Sequence, residues 1–252
     1  MKEVRFFYVP NASCVNELPE EEAQHAVRVL RMEMGDEMML MDGEGTFYRA
    51  VVTEATKKRC LYRIEETLPQ ERQWQPHLHL AMAPTKNMDR TEWFAEKATE
   101  IGFDELTFLK CRWSERTVIK TERIEKILIS AMKQSHKAWK PVLNEMTDFK
   151  AFLQKIEEAE KTSGKAMQKF ICHCYDDSDP AMGIAKRVGL LKDAVRRGED
   201  VLVLVGPEGD FSLDEVKMAE AQGFQSVTLG KSRLRTETAA LVAVHLMNLK
   251  NQ

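Results

Sequence analysis

Two short stretches hold the residue types best suited to chemistry. Gly206-Pro207-Glu208-Gly209-Asp210-Phe211-Ser212 follows the apolar run Val201–Val205. Leu229-Gly230-Lys231-Ser232-Arg233-Leu234-Arg235-Thr236-Glu237-Thr238-Ala239 closes the run that begins at Gln225. Glycine lets a backbone approach a ligand closely. Each stretch leads into a predicted helix start, where unpaired N–H groups favour anionic groups. Ser212 caps one of these helices, and Glu215 completes a capping box. The chain has no GxxxxGK[ST], and no GxGxxG follows the first strand of its second half. A phosphate-binding P-loop and a standard dinucleotide fold therefore find no support. Spacing alone gives an α/β domain with two ligand loops and leaves the ligand open.

Such loops converge on one ligand when they sit at the carboxyl ends of neighbouring parallel strands. From His77 onward the sequence alternates between the two periods this requires. Strands are predicted over His77–Ala83, Glu105–Lys110, Lys169–Tyr175, Val201–Val205 and Gln225–Leu229. Helices are predicted over Arg90–Ile101 (stopped by Gly102), Thr121–Ala138, Ala181–Arg197 and Thr236–Leu249, with another starting at Ser212. The expected fold is α/β, a mostly parallel sheet with helices on both faces. Residues 1–68 read differently. Short strands at Arg5–Val9, Glu37–Met41 and Tyr48–Val52, a helix over Glu20–Leu30 and the turn Asp42-Gly43-Glu44-Gly45 suggest a small β-barrel. The polar segment Pro69–Pro76 is bounded by prolines and marks the boundary, giving domains 1–70 and 77–252.

Composition narrows the function. The five cysteines, Cys14, Cys60, Cys111, Cys172 and Cys174, are odd in number and irregular in spacing, which argues against a disulfide framework. Cys172-His173-Cys174 has metal-ligand types, but alternate residues of a strand face opposite ways and no second Cys/His pair completes a set. No metal is expected. No apolar run reaches the ~20 residues of a membrane helix, and Met1–Pro10 is too short and polar for a secretory signal. The expected compartment is the cytoplasm, without membrane attachment. A net charge of −3 argues against nonspecific coating of nucleic acid. Residues 110–140 run against that balance, with nine Lys and Arg side chains facing only Glu115, Glu122 and Glu125. Trp113, His136 and Trp139 lie among these charges, a combination suited to structured RNA and equally to a solvated helix face.

The joint pattern of the two loops closely resembles the 16S rRNA uracil-N3 methyltransferase family, of the knotted SPOUT class. Glu96–Gly102 resembles that family's KATELG helix, and Gln134-Ser135 with Pro141 resembles its EQ-S-R…P segment. His25–Arg31, with Gly35-Asp36, resembles its amino-terminal PUA-like RNA-binding domain. Nearly the whole chain is covered. Three positions depart: Asp210 stands where a second glycine is usual, Ser232 where arginine is frequent, and Lys137 at a common arginine position. Exchanging arginine for lysine keeps the charge but loses the bidentate fork.

The resemblance implies a carboxy-terminal trefoil knot that binds S-adenosyl-L-methionine, and usually a homodimer formed through the knot region. It implies a cofactor pocket lined by His173, Gly206, Glu208, Gly209, Leu229, Gly230, Leu234 and Thr236. Arg235 is the expected stabiliser of charge on the target base. Glu237 is a proton acceptor or an ordering group at its helix start. Arg5, His25, Arg28 and Arg31, with Arg112, Arg116 and Lys137, are the expected RNA contacts. The implied partner is small-subunit rRNA or the assembled small ribosomal subunit. Two alternatives stand beside this reading: a SPOUT enzyme acting on tRNA or on ribose 2′-oxygen, and a non-catalytic ribosome-assembly factor.

Overall fold

The structure is a computed structural model that describes residues 5–175 and 180–252, so the first four residues of the Met1–Pro10 segment lie outside it. The chain divides into two compact units. The first comprises residues up to Arg72 together with Ile129–Lys140, and the second Gln73–Leu128 with Pro141–Gln252.

In the first unit, β1 (Phe6–Tyr8), β2 (Glu37–Met41), β3 (Thr46–Ala55) and β4 (Cys60–Pro69) form one four-stranded mixed sheet in sequence order. β1 pairs parallel to β2, and the other pairs are antiparallel. The expected hairpin at Asp42–Gly45 joins β2 to β3. Asp42 shapes it by accepting the N–H groups of Glu44 (2.7 Å) and Thr46 (3.0 Å). Helix α1 (Glu20–Gln24) continues as a π-turn over His25–Val29. Phe7, Met38, Leu40, Ala50 and Tyr62 fill the space between this helix and the sheet.

The second unit holds a six-stranded sheet, parallel throughout. In chain order its elements are β5 (Leu78–Met82), α2 (Met88–Ile101), β6 (Glu105–Lys110), the first part of α3 (Thr121–Gln134, whose residues from Ile129 on belong to the first unit), β7 (Val142–Asp148) and α4 (Phe149–Ser163). There follow β8 (Gln168–Cys172), α5 (Leu191–Ala194), β9 (Val201–Val205), α6 (Leu213–Ala221), β10 (Gln225–Val227) and α7 (Thr236–Lys250). Spatial order is β10-β8-β9-β5-β6-β7.

Alternation along the central strands feeds two cores. Leu78, Leu80, Val201, Val203 and Phe170 point toward α2 and α7. Ala81, Leu202, Leu204 and Ile171 point toward α4 and α6. Strands buried on both faces read as continuous apolar runs, which is why Val201–Val205 was legible. Gly102 ends α2 at φ 112, where a side chain would strike the Trp74 ring at 2.4 Å.

Three expected elements change. The strand expected over Lys169–Tyr175 stops at Cys172, because its neighbour β9 ends at the paired residue Val205. The helix expected over Ala181–Arg197 shrinks to Leu191–Ala194. Gly183 (φ 60) and Gly189 (φ 134) lie outside helical backbone, and residues 188–191 bond instead to the backbone of Ser226 and Thr228 beside β10. The helix expected to reach Ala138 ends at Gln134, where His136 turns left-handed at φ 52. Strand β7 and helix α4 were not anticipated.

Candidate active site

Loops leaving the carboxyl ends of β8, β9 and β10 converge on a cavity of about 630 Å³. This is the edge at which open parallel sheets bind ligands, and the volume lies within the range of small-molecule sites. His173 and Cys174 enter from β8, and Gly206, Pro207, Glu208 and Asp210 from β9. Residues 228–235 enter from β10, and Thr236 and Ala239 from α7. Val205, Val227, Leu229 and Leu234 give the cavity an apolar wall.

The loops are held by hydrogen bonds between them. Asp210 adopts φ 69, a left-handed backbone that usually selects glycine. Its carboxylate accepts the Cys174 N–H at 2.7 Å and the Phe211 N–H at 2.8 Å, so the side chain offsets the backbone strain by tying two loops together. Glu208 accepts the Lys86 N–H at 2.8 Å. Ser212 and Glu215 form the expected capping box. Gly206 is needed for close packing, since a Cβ there would lie 2.9 Å from the Phe211 nitrogen. Gly230 is needed for conformation, with φ 135 and open space around it.

The electrostatics disfavour thiolate chemistry. Burial, and then the Asp210 charge, push the Cys172 thiol up to about 12 and raise the Cys174 thiol as well. Both stay neutral at physiological pH and are poor nucleophiles. Among the described residues, no group of three or more His, Cys, Asp or Glu side chains could hold a metal ion. Five cationic side chains, Arg90, Arg187, Lys231, Arg233 and Arg235, line the cavity against the carboxylates of Glu208 and Asp210. A cleft with that balance attracts a polyanion.

Of the residues expected at the pocket, His173, Gly206, Glu208, Leu229, Gly230, Leu234, Arg235 and Thr236 line it. Gly209 does not. It packs outward, where a Cβ would meet the Trp113 Cβ at 3.1 Å. Glu237 also lies off the wall. It is 7% exposed on the first turn of α7, with Oε1 3.8 Å from the Arg90 Nε and Oε2 buried without a hydrogen bond. Arg90 is a pocket residue that spacing alone could not find, and Asp210 is one that the first stretch contains without marking it. Arg90 lies on α2, far away in sequence, and Asp210 reads as an ordinary turn residue.

The expected RNA contacts fall in both units. In the first, Arg5, His25, Arg28 and Arg31 are exposed, with Arg31 at φ 54 and the Arg28 guanidinium donating to the Lys57 carbonyl at 3.3 Å. Lys137 is half-buried, and burial lowers the pKa of its ammonium. In the second, Arg112 is exposed. Arg116 is half-buried and committed to the carbonyls of Thr85 (3.2 Å) and Lys86 (2.7 Å), so it braces a loop.

Ligand loops at the carboxyl edge of a parallel sheet, in a chain that also carries a separate small β unit, fit a class of RNA-modifying enzyme. The comparisons agree: a family described as the RNA methyltransferase domain matches residues 72–248, and one described as the RNA methyltransferase PUA domain matches residues 18–65. A ribosomal RNA small subunit methyltransferase E of Mycobacterium bovis is 31% identical over 251 residues, 94% of this chain and 88% of that one. A crystal structure described as a probable rRNA-methyltransferase from Porphyromonas gingivalis superposes with a TM-score of 0.86 at 39% identity, covering 98% of each chain. The ribosomal RNA small subunit methyltransferase E of Neisseria gonorrhoeae, solved bound to S-adenosyl methionine, gives 0.79 at 25% identity, again over 98% of each. The chain belongs to the ribosomal RNA small subunit methyltransferase E family, enzymes that use S-adenosylmethionine. No helix among the described residues is long and apolar enough to cross a membrane.

Proposed function

We propose that this protein methylates N3 of a specific uridine in 16S rRNA, with S-adenosylmethionine as donor. The observation that carries this reading is the cavity after β8, β9 and β10, apolar on one wall and edged by five cations. An apolar wall with convergent backbone groups suits a nucleoside cofactor, and the cationic edge suits RNA.

When bound, the cofactor supplies an electrophilic methyl carbon on a sulfonium that is already a good leaving group. The rest is positioning, which can contribute ~7–11 kcal/mol. His173, Gly206, Glu208, Leu229, Gly230, Leu234 and Thr236 would hold the cofactor. Arg235, exposed at the pocket edge, would stabilise negative charge on the uracil carbonyl oxygens as N3 loses its proton. Glu237, buried beside Arg90, suits an ordering role at the start of α7 better than proton transfer. The base must leave its stack to reach this depth. Arg5, His25, Arg28, Arg31 and Arg112 would contact phosphates.

We further infer a homodimer. Leu241, Val242 and Leu246 of α7 are half-buried and Leu249 is 57% exposed, an apolar strip suited to a second copy. The rRNA substrate puts the reaction in the cytoplasm, where ribosomal subunits are assembled.

The test is transfer of label from S-adenosylmethionine to three substrates in parallel: small subunits lacking the modification, deproteinised small-subunit rRNA, and tRNA. Label in either ribosomal substrate and none in tRNA is expected. Label in tRNA alone would overturn the substrate assignment.

A further inference from the structure

We propose that Trp113 is a stacking platform for an unpaired base of the substrate RNA, set beside the cofactor loop; this rests on the rRNA-methyltransferase reading. Trp113 is 52% exposed, unusual for the largest apolar side chain. An isolated ring of this kind is too small a patch for a protein interface, whereas one ring suffices to stack one base. The Arg112 guanidinium lies over one face of the ring, 5.5 Å from its centroid, so a base would stack on the opposite face with a cation at hand for its phosphate.

The ring is fixed relative to the pocket. Its Cβ packs against Gly209, whose chain neighbours Glu208 and Asp210 line the cavity. The turn that carries it is closed twice, by Ser114 N–H donating to the Cys111 carbonyl at 3.1 Å and by Cys111 N–H donating to Ser114 Oγ at 3.0 Å. Arg112 N–H donates at 2.8 Å to Glu215, the same carboxylate that accepts Ser212 N–H at 2.7 Å in the capping box. Glu215 is 5% exposed, so these bonds are shielded from water. From the other side, Arg116 donates to the carbonyls of Thr85 and Lys86, and Lys86 Nζ pairs with Glu115 at 2.6 Å. An exposed aromatic on so braced a turn is preorganised for a planar partner. A substrate base flipped toward the pocket leaves neighbours that have lost their stacking, and the indole offers a replacement.

The experiment compares wild type with Trp113→Ala, Trp113→Phe and, as control for another exposed indole, Trp93→Ala. Steady-state KM and kcat are measured on deproteinised small-subunit rRNA and on small subunits, S-adenosylhomocysteine affinity by calorimetry, and Tm by circular dichroism. Expected for Trp113→Ala is an RNA KM raised about ten- to hundredfold, with kcat, S-adenosylhomocysteine affinity and Tm close to wild type. Trp113→Phe should recover most of the loss, and Trp93→Ala should behave as wild type. Quenching of tryptophan fluorescence on adding rRNA should shrink in Trp113→Phe. Unchanged KM and quenching in the Trp113 variants would overturn the inference, as would a defect confined to assembled subunits, which would indicate a protein contact. Should wild type methylate no RNA, the functional reading fails, and quenching still reports whether the ring stacks.

Discussion

Gly206→Ala perturbs the cofactor loop at its tightest point. The added Cβ would lie 2.9 Å from the Phe211 nitrogen, 3.1 Å from its ring and 3.2 Å from the Asp210 carbonyl carbon. Two of these atoms are backbone and cannot rotate away. Phe211 is fully buried against Phe149, and Asp210 is bonded to the Cys174 N–H at 2.7 Å. Relief therefore requires the loop to move as a unit and to loosen one of those contacts. Overpacking of this kind costs about 1–3 kcal/mol. If the loop takes that displacement into the cavity, S-adenosylhomocysteine binding weakens by about tenfold per 1.4 kcal/mol, so on the order of ten- to hundredfold. Calorimetric titration of S-adenosylhomocysteine into the variant, with far-ultraviolet circular dichroism to establish folding, reads the effect. A folded variant with wild-type affinity and Tm would refute the packing argument. Gly230→Ala makes the contrast, since its space is open but its φ of 135 is strained for any side chain, at a cost of about 1–3 kcal/mol.

Arg235→Ala should abolish turnover while S-adenosylhomocysteine affinity stays at the wild-type value; undiminished kcat would remove Arg235 from the chemistry. Asp104→Ala should lower unfolding free energy by about 3 kcal/mol in urea titration, because one buried oxygen accepts both the Trp74 indole N–H and the Leu78 N–H at 2.8 Å. Burial drives His79 down to about 4, so between its ordinary value near 6.5 and that point the unfolded chain binds a proton that the folded chain refuses. Stability should thus fall as pH drops from about 6.5 to 4. For the partner Glu105, burial raises the carboxyl, but the bond to His77, the His79 charge and the bond to Asn144 together hold it down to about 2, so it extends the loss below 4.5. His77, raised by its bond to Glu105, acts in the opposite sense, adding stability that disappears as pH climbs through its own folded value. His79→Asn should flatten the slope between pH 6.5 and 4 in urea midpoints, and an unaltered slope would show that His79 is not its source.

Some of this architecture could be read directly from the residues. Val201–Val205 is apolar without a break because both its faces are buried, and Ser212 with Glu215 spells a helix start that the hydrogen bonds reproduce. Gly102 marked the end of α2 because only glycine tolerates both its φ and the Trp74 ring above it. Other elements resisted. β7 is an edge strand, half-exposed along its length and interrupted by Asn144 and Glu145, so it lacks apolar alternation. The helix after it carries a readable signal in Phe149, Phe152, Leu153 and Ile156, all buried at helical spacing. Ala181–Arg197 was expected as one helix, but two glycines outside helical backbone and pairing beside β10 prevailed over residues 183–190. At the pocket, glycines and the β10 loop were visible as motifs. Arg90 was not, because its place at the cavity is set by how α2 packs against α7.

The measurement that bears most directly on the function is nucleoside mass analysis of small-subunit rRNA after incubation with the protein and labelled S-adenosylmethionine. The rRNA should come from cells lacking this activity. Label recovered as 3-methyluridine, absent with Arg235→Ala, is the predicted result. Label recovered on ribose or on any other base would contradict the account.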